Sequence, residues 1–187
     1  MRIAVALFLL AGAPTANALE LLSVSVEREA GTYLMHSDVR FSVGLEPLYE
    51  IMTDWDLSTQ YSSVVVESRN TGPDELGRPG FYSKNRGCLA FFCVSFERKG
   101  HVELEPYKII RAFADPRFSD FHVCNETWRF EPDGDETVMT YELEMRPKFW
   151  VPPIVGPWLI KRKLKNDGVR ALGRIENIAR NRAAQGD

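Results

Sequence analysis

The apolar positions of this chain change period twice, and those changes divide it into elements. Leu22, Val24 and Val26 alternate with Ser23, Ser25 and Glu27, the two-residue period of a strand with one buried face. After a turn at Ala30-Gly31-Thr32, Tyr33, Met35, Val39 and Phe41 share one face, opposite His36, Asp38 and Arg40. Two such runs around a short turn predict a hairpin. Past Gly44 the period becomes helical. Glu46-Pro47 opens a helix, with proline in the first turn, where its missing N–H leaves no bond unmade. Leu48, Ile51, Met52 and Trp55 recur along one side of it, and Asp56-Leu57-Ser58 restarts a second short helix ending near Ser62.

From Val64 the strand pattern returns. Val64 to Asn70, Phe81 to Cys88, Phe92 to Leu104, Lys108 to Asp115, Phe121 to Phe130 and Thr137 to Met145 are strand-like runs, broken by Gly- and Pro-containing turns. Residues 147–157, rich in proline, suit neither a helix interior nor a central strand and predict a stiff apolar loop. Gly156-Pro157 then begins a long helix with Leu164, Leu172, Ile175 and Ile178 as its apolar stripe. The expected fold is α+β: a curved antiparallel sheet of about seven strands, two short helices after the N-terminal hairpin, and a long C-terminal helix. A bent sheet needs cover on its concave face, and only the last helix is long enough. Where the facing side chains do not fill the gap, a cavity remains.

Four segments carry a resemblance. Leu48-Tyr49-Glu50-Ile51-Met52-Thr53-Asp54-Trp55 and Tyr61-Ser62-Ser63-Val64-Val65 are similar to the first helix and the following strand start of the START-like superfamily. Glu126-Thr127-Trp128-Arg129-Phe130 and Phe149-Trp150-Val151-Pro152-Pro153-Ile154-Val155-Gly156-Pro157 resemble its late strand and the loop before its long helix. That helix-grip group includes polyketide cyclases, coenzyme Q-binding proteins and lipid-transfer domains. The resemblance implies a ligand cavity beneath the long helix and no shared catalytic set.

Composition and charge narrow the function. The chain has 187 residues, 44% hydrophobic and 26% charged, enough for one substantial core. No apolar run is long enough to cross a bilayer as a helix. The first 18 residues read as a signal peptide: Arg2, a short apolar run from Ile3 to Ala11, Pro14, and the cleavable Ala16-Asn17-Ala18. Cleavage after Ala18 would leave one domain, residues 19–187, in the periplasm or secreted. The net charge is −3, and removal of Arg2 makes the chain more acidic, which argues against nucleic acid as a partner. The segment from Trp158 to Arg182 is nonetheless strongly basic. It reads either as the solvated face of a helix or as a peripheral contact for anionic lipid.

The candidate chemistry is sparse. There is no nucleophile elbow, phosphate-cradling loop or paired metal motif, and no cofactor or metal is expected. His36, His101 and His122 are scattered, and Asp54 near a helix end suits a cap as well as an acid–base role. Cys88 and Cys93 flank a short connection and can close a disulfide or stay as unpaired core thiols; Cys124 is left as a buried thiol. On the strand from Phe121, parity groups His122, Cys124, Glu126, Trp128 and Phe130, and this set is placed inward. On the next strand Thr137, Met139, Tyr141, Leu143 and Met145 face inward. Glu126 then orients a ligand head group or pairs with Arg111. The expected ligand-binding residues are Trp55, Phe113, Glu126, Trp128, Met139, Tyr141, Phe149, Trp150, Pro153 and Trp158. The reading that results is an exported binding protein for a hydrophobic small molecule or lipid, an isoprenoid quinone among the candidates. Two alternatives stand beside it: a cyclase- or hydrolase-type enzyme in the same cavity, using Glu126, His122 or Asp54, and a docking module acting through the basic helix.

Overall fold

A computed structural model of the chain describes residues 19–89, 92–151 and 156–184. Residues 1–18, read above as a signal peptide, and Pro153 lie outside the described residues. The chain opens with a hairpin, β1 (Glu20–Glu29) and β2 (Thr32–Phe41). Ala30 and Gly31 both have positive φ, 47° and 86°, the mirror-image turn whose twist matches that of paired strands. Next come α1 (Leu45–Thr53) and α2 (Ser58–Tyr61), with a single 3-10 turn at Trp55–Leu57 between them. Six strands follow: β3 (Val65–Thr71), β4 (Gly80–Leu89), β5 (Phe92–Glu105), β6 (Ile109–Ala114), β7 (Phe121–Asp133) and β8 (Glu136–Pro147). The helix α3 (Gly156–Ala183) ends the fold; its 28 residues span about 42 Å.

The eight strands form one antiparallel sheet in the order β1-β2-β8-β7-β6-β5-β4-β3. The expected number is about seven, although the hairpin and the six strand-like runs already come to eight, and the run from Val64 forms the edge strand β3, paired with β4. The sheet is pulled tight at Gly100 on β5. A Cβ there would lie 1.8 Å from the carbonyl oxygen of Phe113 on β6, so the close approach of the two backbones requires glycine.

The core lies between the concave face and the helices. Val39 and Phe41 of β2, Ile110 of β6 and Met139 of β8 are fully buried with Leu48 and Ile51 of α1. Thus α1 fills one end of the concave face with side chains. Along α3, Ile175 and Ala179 are buried, and Leu164, Leu172 and Ile178 pack partly buried against the same cluster, as the apolar stripe predicts. Burying a Leu- or Ile-sized side chain contributes about 1.5–3 kcal/mol, so this stripe holds the helix on the sheet. Asp54 has a local structural job. Its Oδ1 accepts from the backbone N–H of Asp56 at 3.1 Å and from Asn70 Nδ2 at 2.9 Å, capping the 3-10 turn and tying it to β3.

Candidate functional site

The other end of the concave face is not filled. Beneath the first half of α3 lies a cavity of about 320 Å³. Its walls come from every layer of the fold. Met35 and Ser37 of β2, Phe96 and Arg98 of β5, Phe121, Glu126 and Trp128 of β7, and Tyr141 and Met145 of β8 project from the sheet. Trp55 and Tyr61 close the side, and Ile160, Leu164, Gly168, Ala171 and Leu172 of α3 form the roof.

Three aromatic groups shape the walls. Phe96, Phe121 and Phe149 form a triangle of ring contacts, with centroids 5.2 to 5.8 Å apart. Trp128 stacks on Tyr141 at 5.4 Å, and Trp55 stacks on Phe81 at 4.1 Å. Flat rings with few rotors give a preformed apolar surface.

At the floor three polar side chains meet. Arg98 Nη1 donates to Glu126 Oε2 at 2.5 Å, and the Tyr141 hydroxyl donates to Glu126 Oε1 at 2.7 Å. Arg98 Nε donates to Ser83 Oγ at 3.2 Å, and Ser83 also receives a bond from Asn85 Nδ2 at 3.2 Å. Burial works against the guanidinium charge, but the Glu126 carboxylate outweighs it, so the Arg98 pKa is raised and the residue stays charged. Burial, and then the neighbouring carboxylate, push the Tyr141 phenol well above its ordinary range. Burial also raises the Cys124 thiol, which is therefore a thiol and not a nucleophilic thiolate. A second ion pair enters from the roof, where Lys163 Nζ lies 2.9 Å from Asp167 Oδ2 and both side chains line the cavity.

The arrangement matches known structures. No protein-family model matches the chain, and no curated protein matches it. Solved structures do. A START superfamily protein from Mycobacterium smegmatis superposes with a TM-score of 0.62 at 19% identity, over 78% of this chain and 98% of that one. The fold is START-like. The Zhui aromatase/cyclase from a Streptomyces species gives a TM-score of 0.64 at 10% identity, over 81% of this chain and 96% of that one. A STAR-related lipid transfer protein from Xanthomonas axonopodis gives 0.61 at 15% identity, over 84% and 98%. Identities this low establish the START-like architecture and nothing about chemistry.

Within that START-like frame, Trp55, Glu126, Trp128, Tyr141, Phe149 and Trp150 line the cavity. Four other expectations need correction or lie beyond view. Phe113 faces away from the cavity, because on β6 it is Ile110, Ala112 and Ala114 that are buried; Phe113 stacks on His101 at 5.2 Å on the outer face. Met139 points inward but is fully buried at the end filled by α1, away from the cavity. Trp158 is 58% exposed, since its position on α3 is about half a turn from the roof residue Ile160. Pro153 is outside the described residues.

The parity assigned to β7 fails at its start. A bulge between Phe121 and Val123 shifts the register, so Phe121 is buried and His122 exposed, while Cys124, Glu126, Trp128 and Phe130 keep the inward face. The described cavity walls contain no histidine. The partner of Glu126 is Arg98, and Arg111 instead pairs with Glu105 at 2.8 Å on the other face. Arg98 is the residue that sequence reasoning missed. Its signal was parity, since Phe96, Arg98, Gly100 and Val102 share one face of β5. Cys88 and Cys93 are directly opposite across the β4–β5 hairpin and form a disulfide.

Proposed function

We propose that this chain is an exported carrier that holds one hydrophobic small molecule or lipid beneath α3. The observation that carries the reading is the cavity itself: about 320 Å³, walled by aromatic and aliphatic side chains, with its polar groups gathered on the Arg98–Glu126–Tyr141 floor. Apolar walls with a few convergent polar groups are the usual design of a small-molecule site. A guest that buries about 300 Å² of apolar surface gains roughly 7 kcal/mol before the entropy of association is subtracted. Arg98 and Glu126 balance each other's charge. The floor therefore suits an uncharged carbonyl or hydroxyl head, such as a quinone ring carries, better than a free carboxylate. One structural neighbour is named as a lipid transfer protein, which agrees with this reading.

The order of charge, apolar run and cleavage site from Arg2 to Ala18 supports export, and so does the Cys88–Cys93 bond, because disulfides persist in oxidising compartments. Solvent extraction of the purified protein followed by mass spectrometry tests the carrier reading. The expected result is an apolar compound released in near-stoichiometric amount and displaced by a labelled lipid. A protein that yields no compound and takes up no probe refutes it. N-terminal sequencing of the exported protein should begin at Leu19.

One observation favours a second reading, catalysis of the cyclase type. The Tyr141 hydroxyl and the Glu126 carboxylate stand in hydrogen-bond contact inside an apolar cavity, a donor–acceptor pair of the kind that general acid–base catalysis uses. Recovery of a bound compound unchanged after long incubation argues for the carrier; its conversion, lost in Tyr141→Phe, argues for the enzyme.

A further inference from the structure

Ser37 and Trp55 each bring to the cavity a buried hydrogen-bonding group that the fold does not use. Ser37 is 2% exposed and Trp55 8%, and both line the cavity. Among the described residues, Ser37 Oγ and Trp55 Nε1 have no hydrogen-bond partner. Asp167 Oδ2, a third such atom on the cavity wall, has the Lys163 ammonium 2.9 Å away. Buried polar groups are almost always paired, because one left unpaired has given up water and gained nothing in return. The floor is different. The Tyr141 proton goes to Glu126, each Glu126 oxygen has a donor, and Arg98 bonds both Glu126 and Ser83. The floor is thus satisfied within the protein, and the two groups that need a partner lie outside it.

Their chemistry and their places describe that partner. An indole N–H only donates, so Trp55 needs an acceptor, and the Ser37 hydroxyl can donate to one as well. Packing asks for neither group. On β2 the buried neighbours of Ser37 on the same face are Met35 and Val39, both apolar. The Trp55 ring stacks on Phe81 of β4 at 4.1 Å, a contact that does not involve its N–H. The two residues also stand apart. Ser37 lies opposite Tyr141 of β8, whereas Trp55 sits against β4, with the Arg98 guanidinium of β5 5.9 Å from its ring. Four strands, β8, β7, β6 and β5, separate β2 from β4 in the sheet. The two groups therefore approach the cavity from opposite flanks of the concave face.

We infer that Ser37 and Trp55 select the guest: a neutral compound with acceptor oxygens at two separate positions, such as a ring system bearing two carbonyls, in preference to a lipid chain with a single polar head. The inference rests on the carrier reading. The test is calorimetric titration of the purified protein with three naphthalenes of one shape, each substituted at opposite ends of the ring system. Diacetylnaphthalene has two carbonyls, acetyl-isopropenyl-naphthalene one and diisopropenylnaphthalene none. Each carbonyl should tighten binding about fivefold, the usual net worth of one hydrogen bond, and the whole series should span roughly 25-fold. Ser37→Ala and Trp55→Phe each remove one donor, so each should narrow the span to about fivefold. Trp55→Phe also shortens the wall, but it does so for all three compounds, and their ratio isolates the N–H. The urea midpoint of Ser37→Ala without ligand should be unchanged or raised, because its hydroxyl bonds nothing in the protein; a purely structural serine would lower it. Equal affinities across the series in the wild type, or a Ser37→Ala series as wide as the wild type's, would overturn the inference and leave the carrier reading in place. Binding of none of the three would also overturn it, and the labelled lipid of the carrier test would show whether that reading falls with it.

Discussion

Replacing Glu126 with glutamine keeps the shape of the cavity floor and removes one charge. In the native floor one carboxylate oxygen accepts from Arg98 at 2.5 Å and the other from Tyr141 at 2.7 Å. Glutamine has one acceptor oxygen, so one of those donors loses its partner and the new amide N–H faces a donor. Arg98 stays charged with nothing opposite. The Arg98 and Glu126 side chains are 13% and 12% exposed, and this decides the magnitude. An exposed pair is worth about 0–1 kcal/mol, but breaking a buried one costs about 3–5 kcal/mol. Residual contact with the cavity puts Glu126→Gln at the lower end, about 3 kcal/mol. Replacing all three groups with apolar side chains of similar size, Arg98→Met/Glu126→Met/Tyr141→Phe, leaves none of them orphaned. Such replacements range from neutral to stabilising by about 1–4 kcal/mol. The expected order of stability is therefore the triple variant at or above wild type, and Glu126→Gln well below both. Urea unfolding followed by circular dichroism measures it. With a slope of about 2 kcal/mol/M, the single variant loses about 1.5 M from its midpoint. A single variant within about 1 kcal/mol of wild type, or a triple variant as weak as the single, would refute the reasoning.

Other consequences follow from the same structure. Ala171→Phe adds a ring to the roof of the cavity, so it should displace any bound guest while the unfolding midpoint holds; mass spectrometry of the extract reads the first effect and denaturant titration the second. Cys88→Ser/Cys93→Ser opens a very short loop and should cost about 2 kcal/mol, read as a lower urea midpoint that reductant reproduces in the wild type. Hydrogen bonds from Ser23 and Thr140 hold Asp38 below its ordinary 3.8, and those from Arg117 and Arg78 do the same for Asp115 and Asp74. A depressed carboxylate contributes stability above its unfolded pKa and loses it in acid. The urea midpoint should therefore be flat down to about pH 4 and fall below it, less steeply in Asp38→Asn.

Periodicity made the hairpin, α1, the strands and α3 legible, because each buries one face and the alternation shows which. It served the site wherever a strand is regular. On β8 the inward set from Thr137 to Met145 is the one that parity demands. It failed where a residue's fate depends on a neighbour distant in sequence. Nothing local marks the bulge after Phe121 that turns His122 outward. Met139 and Tyr141 share a face, yet only Tyr141 reaches the cavity, since α1 fills the space above Met139. The partner of Glu126 was hidden by register. β6 stops at Ala114, opposite Gly100, so Arg98 projects beyond its end and reaches β7 directly, 28 positions along the chain. Strand parity could nominate Arg98 for the inner face, but the length of β6 decides whom it meets.

The floor also bears on why such a pair is present. An apolar triplet would fill the same volume at equal or lower free energy, so core stability gives no reason for Arg98, Glu126 and Tyr141 to meet. Nor do they tie helix to sheet, because all three stand on strands. What they do is place two fixed hydrogen-bonding directions at the closed end of a space otherwise lined by rings and methyl groups. Departures from the most stable packing tend to fall where a protein handles something other than itself. In this fold that departure and the unfilled volume occupy the same end of the sheet. On the carrier reading proposed above, the polar floor and the cavity form one device, with a guest in place as the state in which the floor is fully used.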